Sequence, residues 1–326
     1  MKYEVLIERS KEEGTWQKPA VLDEIEWKTF RKDTPSELSF TVLKDKVLGF
    51  NEGARVKFIV DKKLVFLGYV FEKSRDKDQQ IKVVAYDQLR YFKYKNAYIF
   101  DNITLSSFLK RICDDFQLHT GTIEDTKYKI SQILYENHTL FDMVQGCIND
   151  TLTGTNKLYM VYDEAGKICL KNIANMQLDI VINKNTAENF DYSSSINNDT
   201  YNRIKIQHSS SDKGIGQYTV VEDHKNIANW GVLQYFEAVS DWENEAKYKE
   251  KAKNLLKLYN IKKRSLTVKG CLGDVRCRAG TSPFFNLELG DLNLKNRMLI
   301  EEATHIFKDN QHTMDLRLSG KGEFYA

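Results

Sequence analysis

Among the adjacent carboxylates of this 326-residue chain are two pairs that could perform acid–base chemistry. Asp114 is followed by Asp115, and Glu301 is followed by Glu302, with His305 nearby. A glycosidase requires two carboxyl groups about 5–9.5 Å apart across a cleft, whereas adjacent residues of a helix or strand point to different faces. Neither pair supplies that arrangement by itself, so we interpret both as solvated charges.

Sequence motifs for other chemistries are missing. The phosphate-binding patterns GxxxxGK[ST] and GxGxxG do not occur, and neither do HExxH or GxSxG. The six histidines have no partner at metal-ligand spacing, and five residues separate Cys271 from Cys277, which is neither a zinc nor a redox spacing. The five cysteines are expected to be buried thiols that pack as small apolar side chains. The sequence therefore predicts no metal, no cofactor and no enzymatic activity.

Two arginines could bind a partner. Arg276 and Arg278 alternate with Val275 and Cys277, which predicts a short strand over 275–277 with both guanidinium groups on one face. Such a face could bind a carboxylate or a phosphate. A solvated outer face of a sheet is the alternative interpretation.

An aromatic group near the middle of the chain could anchor an interface, because large aromatic side chains dominate binding hot spots. It consists of Trp230, Tyr235, Phe236 and Trp242. The alternative is that these rings pack around a neighbouring helix.

The charge balance excludes several classes of function. Lys and Arg number 48 against 46 Asp and Glu, which gives a net charge of +2. A basic stripe for nucleic acid and an acidic solvating tail both require an imbalance, so we expect no specific nucleic-acid binding. The N-terminus meets charged residues before any long apolar stretch, and the longest apolar run, residues 64–71, is far shorter than the roughly 18–20 residues of a membrane helix. We expect neither a signal peptide nor a membrane anchor.

The first 98 residues show the alternating pattern of short strands. Apolar residues recur at every second position in three segments, and residues 64–71 follow one of them as a hairpin partner. The alternating residues are Leu38, Phe40 and Val42, then Val56, Phe58 and Val60, then Ile81, Val83 and Ala85. Antiparallel strands at this spacing predict a barrel or sandwich. Residues 191–208 are a candidate returning strand that completes it.

Residues 99–190 change to helical periodicity. An apolar stripe predicts a helix over 105–116, capped by Thr104. A second helix begins at Thr139, with Asp142 at the third helical position as an acidic variant of a capping box. A hairpin is predicted around residues 163–166. This segment is therefore expected to be a small α+β domain.

Residues 191–326 return to strands, with one helix over about 241–259. Ser240 and Glu243 form a capping-box pattern at its start. Strands are predicted around 204–206, 218–220, 266–269, 275–277, 298–300 and 314–318. The sequence thus predicts a mainly β protein with an α+β insert.

Nine short motifs are spread in order along almost the full chain. They are residues 39–41 (SFT), 68–71 (GYVF), 85–88 (AYDQ), 124–130 (EDTKYKI), 199–205 (DTYNRIK), 230–237 (WGVLQYFE), 273–276 (GDVR), 278–280 (RAG) and 312–314 (HTM). No single motif is diagnostic, but through their number, order and spacing the chain resembles the XkdQ/YqbQ-type baseplate hub proteins of PBSX-like prophages and contractile phage tails.

The resemblance implies two β-barrels of the tail-tube type plus a small α/β domain. It implies a structural homotrimeric ring that joins the sixfold tail tube to the trimeric central spike and starts tube assembly. The implied partners are the chain itself, the spike, the tube protein and other baseplate proteins, in a particle assembled in the bacterial cytoplasm. The resemblance is equally compatible with a particle that is a phage, a defective prophage or a phage-tail-like bacteriocin. Candidate interface residues are Tyr201, Arg203, Trp230, Tyr235, Phe236, Arg276 and Arg278.

Two other functions compete with the hub. A cell-wall hydrolase of the same particle would depend on one of the carboxylates, although the chain ends at Ala326, shortly after the last predicted strand, and we expect no appended lytic domain. A glycan-binding module would be monomeric and would bind sugar through exposed Trp or Tyr.

Overall fold

The computed structural model describes residues 1–9, 14–197, 199–209, 216–239, 245–289 and 292–320. The chain is mainly β, as the sequence predicts. It consists of a first lobe (residues 3–86), an insert (residues 95–172) and a final lobe (residues 177–320).

The strands of the first lobe are β1 (Tyr3–Glu8), β2 (Trp16–Gln17), β3 (Val21–Phe30), β4 (Glu37–Leu43), β5 (Arg55–Val60), β6 (Lys63–Arg75) and β7 (Gln80–Tyr86). A 3-10 helix, Gln88–Lys93, leads into the insert. The insert contains β8 (Lys95–Thr104), α1 (Leu105–Asp115), β9 (Thr120–Ile123), β10 (Lys129–Thr139), α2 (Leu140–Thr155), β11 (Tyr159–Asp163) and β12 (Ile168–Asn172). A 3-10 turn, Ile173–Asn175, follows it.

The strands of the final lobe are β13 (Gln177–Asn183), β14 (Asn189–Ser195), β15 (Arg203–Ser209), β16 (Gly216–Glu222), β17 (Gln234–Val239), β18 (Lys263–Leu272), β19 (Ser282–Leu289), β20 (Leu292–Arg297), β21 (Leu299–Lys308) and β22 (Gln311–Gly320). Its helices are α3 (His224–Trp230) and α4 (Glu245–Tyr259).

One eleven-stranded sheet joins the two ends of the chain. Its strand order is β14-β18-β22-β21-β3-β4-β7-β6-β5-β1-β2. The joining step is the antiparallel pairing of β3 with β21, in which Thr29 lies opposite Ala303. The first and final lobes therefore share one hydrogen-bonded sheet.

The sheet curls on itself without closing. The Phe307 ring of β21 lies 4.9 Å from that of Phe58 and 5.5 Å from that of Tyr3, so the far strands of the first lobe come back over β21. The strands at the two ends of the strand order are β14 and β2, which do not pair with each other. Within the described residues no closed barrel is found, which differs from the two barrels that the resemblance implies.

Alternating burial confirms the strands predicted in the first lobe. Leu38, Phe40 and Val42 are buried in β4, while the residues between them are partly exposed. The β5–β6 hairpin is antiparallel, as predicted. The inward-facing residues pack with Phe307 into one core.

The insert has its own core and the two predicted helices. The Thr104 hydroxyl accepts the Ser107 N–H at 3.2 Å and caps α1. Thr139 and Asp142 form the predicted capping box of α2, with each side chain accepting the other residue's backbone N–H. The predicted hairpin is the antiparallel pair β11–β12, to which β9 adds in parallel.

Two smaller sheets complete the final lobe. The strands β13, β19 and β20 form one and pack on the large sheet, while β16, β15 and β17 form the other, which we call the small sheet. Helix α4 lies where a helix over about 241–259 is predicted, but the capping residues Ser240 and Glu243 lie outside the described residues. Residues 191–208 were expected to supply a strand that returns to the first barrel. In the structure, β14 pairs with β18, and β15 pairs with β16 and β17. Neither β14 nor β15 pairs with a strand of residues 1–98.

The predicted strand over 275–277 is wrong. This segment is a turn, in which Cys277 N–H donates to the Asp274 carbonyl at 2.9 Å. The Asp274 carboxylate accepts the Arg276 N–H at 2.9 Å. These local bonds satisfy the backbone groups that a strand would pair with a neighbour.

Candidate functional site

The small sheet presents an apolar outer face. Lys205 of β15 pairs with Val220 of β16 and with Phe236 of β17, so these side chains form one row across the sheet. Phe236 is 51% exposed, and Val220 and Tyr218 are similarly exposed. The Lys205 ammonium lies 4.2 Å from the centre of the Tyr218 ring. We call Lys205, Tyr218, Val220 and Phe236 the outer face.

The opposite face of the small sheet is covered by α4. Ile204 and Ile206 are fully buried against this helix. The rings of Tyr201 and Tyr235 lie 5.4 Å apart and both contact Tyr259 at the end of α4. Burial raises the pKa of Tyr235 to about 12, so the phenol is neutral. Tyr201 and Tyr235 therefore hold the helix on the sheet, and of the predicted aromatic group this packing role applies to Tyr235.

The other candidates of this region lie beside the outer face. The Arg203 guanidinium bonds Glu222 of the paired strand at 2.5 Å. Trp230 is half-buried at the end of α3, where the Asn202 amide donates to the Gly231 carbonyl at 2.7 Å. Trp242 lies outside the described residues. The structure thus brings Arg203 and Phe236 to one side of the small sheet and Tyr201 and Tyr235 to the other.

The two arginines near 277 do not share a face. Arg276 is exposed and pairs with Asp274 at 2.7 Å, which lowers the pKa of that carboxyl. Arg278 lies over the Tyr162 ring at 4.6 Å and donates to the Asp163 carbonyl at 2.8 Å. The prediction of a shared face is wrong because the segment is a turn.

A buried polar junction, made of Asp87, Gln88, Asp163 and Arg278, links the first lobe to the insert and the final lobe. Gln88 donates to the Gly166 carbonyl at 2.6 Å and accepts the His119 N–H at 2.8 Å. The Asp87 carboxylate accepts the backbone N–H groups of Ser36 and Leu89 at 3.1 and 3.0 Å.

Burial, together with the charge of the nearby Asp163 carboxylate, raises the pKa of Asp87 to about 8. Sequence reasoning missed this junction, because nothing in the local pattern marks Asp87 as buried. Its position inside the AYDQ stretch was the available signal.

Two histidines form a second buried polar pair. The His305 and His312 rings are joined by a contact of 2.9 Å, and the other nitrogen of His305 lies 3.0 Å from the Cys277 carbonyl oxygen. Burial lowers the pKa of His305 to about 3 and that of His312 to about 4, so both are neutral. Among the described residues no group of three or more His, Cys, Asp or Glu could hold a metal ion.

The carboxylate doublets are held by structural partners. Glu301 pairs with Arg31 at 2.7 Å and is largely buried, so the expectation of a solvated charge is wrong for this residue. Glu302 pairs with Arg317 at 3.1 Å. Asp115 is bound by Arg111 and by the Tyr98 hydroxyl.

All five cysteines are free and buried, as predicted. Burial raises the thiol pKa values of Cys113, Cys147, Cys271 and Cys277 to about 12. In the part of the chain that the structure describes, no helix has the length and apolar character needed to cross a bilayer.

Two curated relatives come from Bacillus subtilis strain 168. The uncharacterized protein YqbQ is 30% identical over 270 residues, which span 82% of this chain and 81% of the relative. The phage-like element PBSX protein XkdQ is 27% identical over 270 residues, with the same coverage.

Solved structures of tail proteins share the fold. The tail protein from Neisseria meningitidis MC58 matches with a TM-score of 0.72 at 11% identity, over 100% of this chain and 98% of that chain. The E. coli c3393 protein matches with a TM-score of 0.57 at 10% identity, over 100% of this chain and 78% of that chain. It is described as a type VI secretion component with structural similarity to the T4 bacteriophage tail proteins gp27 and gp5. The YqbQ-like family model matches residues 25–319, and the chain, with a phage-tail fold over its whole length, belongs to that family.

Proposed function

We propose that this chain is the structural hub of a phage-tail baseplate, in which three copies form a ring between the sixfold tail tube and the threefold spike. The observation that carries the proposal is the match of the whole chain both to phage tail proteins and to c3393, which is similar to T4 tail proteins. The relationship to XkdQ of the phage-like element PBSX supports the same setting.

The arrangement of the cores supports a ring with six tube-like positions. Each chain has one core under the curled first lobe and a second under the final-lobe part of the same sheet. If each of these two units takes the place of one tube subunit, three chains supply six positions, which match one sixfold ring of the tube. A closed ring uses the same pair of complementary surfaces at every contact, and closure limits its growth.

The outer face of the small sheet is the surface we assign to the neighbouring copy of the chain in the ring. It combines half-exposed aromatic and aliphatic side chains with a polar border that includes the Arg203–Glu222 pair. Aromatic residues and arginine are enriched at interface centres. A permanent contact in the ring should bury more than about 2,000 Å² in total, so this face supplies one part of it.

We further propose a mechanical rather than an enzymatic role, which the surroundings of Glu301, His305 and His312 support. The Glu301 carboxylate is tied to Arg31, and the two buried histidines are held neutral by burial. Groups that turn over a substrate need access to it, whereas these groups lie within the fold. We therefore propose that the hub acts in the baseplate, after assembly in the bacterial cytoplasm, without catalysis.

The native mass of the purified chain tests this proposal. Light scattering should give about 114 kDa, three times the 38.0 kDa chain, either for the chain alone or after the spike protein is added and its mass subtracted. Purified chain should also cause no loss of turbidity in a peptidoglycan suspension. A monomer under both conditions, or peptidoglycan lysis, would overturn the structural hub.

A further inference from the structure

The first lobe carries a cationic cleft that the proposed hub role does not require. It lies between residues 44–51 and the β6–β7 hairpin and has a volume of about 580 Å³. Its lining residues are Arg9, Lys44, Lys46, Val47, Leu48, Gly49, Phe50, Asn51, Lys73, Ser74, Arg75 and Ile81. Five of these are cationic, and within the described residues none of the lining side chains is acidic. We call this site the basic cleft.

The floor of the basic cleft is apolar. Leu48, Phe50 and Ile81 are buried, whereas Val47 is 65% exposed at the rim. Cations therefore surround an apolar surface, and one aliphatic side chain remains in solvent. This combination suits a ligand that carries both negative charge and an apolar group.

Hydrogen bonds hold the loop over 44–51 in one shape. The Asp45 carboxylate accepts the backbone N–H groups of Val47 and Leu48 at 2.8 and 2.6 Å. The Gln17 side chain both donates to and accepts from the backbone of Gly49, each at 3.1 Å. A loop that is already ordered loses little conformational entropy when it binds a ligand.

The carboxylates of Glu52 and Asp45 lie near the basic cleft but do not cancel its positive charge. Glu52 lies 3.6 Å from the Lys73 ammonium, which also donates to the Phe50 carbonyl at 3.1 Å. One oxygen of the Asp45 carboxylate, Oδ1, accepts both N–H groups of the loop. Lys46 and Arg75 are exposed on the rim, so their charges face the solvent that a ligand would displace.

We propose that the basic cleft binds an acidic segment of another protein, with one aliphatic side chain of that segment on the floor. The carboxylates would pair with Lys46 and Arg75, and the aliphatic group would cover Val47 and the floor. The chemistry does not favour a nucleic acid, because binding of single strands relies on exposed aromatic rings that stack with bases, and Phe50 is buried.

Fluorescence anisotropy with the full chain tests the proposal. The probes are a labelled peptide of sequence EEELEEE, its leucine-to-glycine analogue and a labelled twelve-residue oligothymidine. We expect the leucine peptide to bind several-fold more tightly than the glycine analogue and more tightly than the oligonucleotide, with affinity that falls as salt rises.

The double variant K46E/R75E should weaken binding of the leucine peptide by about tenfold or more, since two attractive charges become repulsive. The matched control is K110E, which reverses one exposed charge on α1 in the insert. The milder K46Q/R75Q variant, compared by circular dichroism and thermal melting, separates loss of charge from loss of fold.

Unchanged affinity in K46E/R75E would overturn the assignment, and so would absence of peptide binding at millimolar concentration. Tighter binding of the oligonucleotide would replace the acidic partner with a nucleic acid. The measurement is independent of the trimer, because the cleft belongs to a single chain and the hub proposal is tested by native mass.

Discussion

His305 and His312 face each other across the β21–β22 hairpin, with Nδ1 of the first ring 2.9 Å from Nε2 of the second. The Trp27 ring stacks on His305 at 4.8 Å, and the Phe307 ring stacks on His312 at 4.1 Å. Burial removes both rings from water, so a proton added to either ring would leave a poorly solvated charge, and this is the physical reason that the pKa values of both rings are lowered. The pair therefore makes the fold sensitive to acid.

We expect the free energy of unfolding to fall when the pH is lowered from 7.5 to 5. Unfolded histidine binds a proton near pH 6.5, whereas the folded pair resists protonation down to about pH 4 and 3. The folded state therefore has its full stability above about pH 6.5. It loses free energy of unfolding as the pH falls from 6.5 towards 4 and 3, by about 2 kcal/mol per histidine at pH 5. Urea titrations at several pH values measure it. His312→Gln should show a shallower dependence, and equal slopes in the two proteins would contradict the prediction.

Asp87 should produce the opposite dependence. Because its pKa is raised to about 8, the folded state holds a proton that the unfolded state has already released above about pH 4. This group therefore destabilises the fold progressively as pH rises from about 4 to 8. At pH 5, Asp87→Asn should be less stable than the natural chain, because an amide takes the place of the carboxyl group that accepts two backbone N–H groups. By pH 8 the difference in stability should be smaller, because only the natural chain loses stability as the pH rises.

Thermal melts at pH 5, 6.5 and 8 measure that difference. Asp115→Asn is the control, since Arg111 and Tyr98 lower the pKa of Asp115 instead of raising it. A constant gap between Asp87→Asn and the natural chain at all three pH values would show that Asp87 is ionised in the fold.

Gly166 is expected to resist substitution at the contact between the insert and the first lobe. Its φ of 88° disfavours L side chains, and a Cβ would lie 2.5 Å from a Leu67 methyl group. Gly53 has a similar φ of 85° but open space around it. Gly166→Ala should lower the free energy of unfolding by about 1–3 kcal/mol more than Gly53→Ala, because only the first adds a clash to the backbone strain. Equal losses in urea titrations would mean that Leu67 moves aside without cost.

Phe236→Asp should weaken assembly without unfolding the chain. The ring is half-exposed in the single chain, so its loss should change the stability of the monomer by no more than about 0.5 kcal/mol. A buried aromatic anchor at an interface contributes about 2 kcal/mol or more, equivalent to association at least about thirtyfold weaker. Light scattering over a concentration series measures it.

The control for assembly is Leu134→Asp, which changes a similarly exposed residue on β10 of the insert. Loss of the trimer in this variant, with the trimer intact in Phe236→Asp, would move the interface from the small sheet to the insert.

Helix starts and buried strand faces were predicted correctly where short sequence patterns encode them. Thr104 and Thr139 cap their helices as expected, since an N-cap needs only residues within one turn. The alternation of Leu38, Phe40 and Val42 correctly marked one buried face of β4. These features are encoded in segments of fewer than ten residues.

Contacts between distant segments were not predictable in the same way. β3 also alternates, with Ile25 and Trp27 buried between charged residues, but no local pattern indicates that its partner is β21. The alternation around Arg276 and Arg278 is typical of a strand. The segment is a turn instead, because the Asp274 carboxylate accepts the backbone N–H of Arg276. The burial of Asp87 likewise depends on the insert that packs over it.

The pairing of β3 with β21 has a consequence for synthesis of the chain. Thr29 and Ala303 are neighbours in the sheet although more than 270 positions separate them in sequence, and the Arg31–Glu301 ion pair joins residues that are 270 positions apart. The ribosome synthesises β3 long before β21, so one edge of β3 stays unpaired until β21 has been made. Long-range pairing of this kind slows folding, and an unpaired strand edge invites aggregation. A fragment that stops after residue 98 should therefore be poorly soluble, and the fold should become protease-resistant only when the last hairpin emerges.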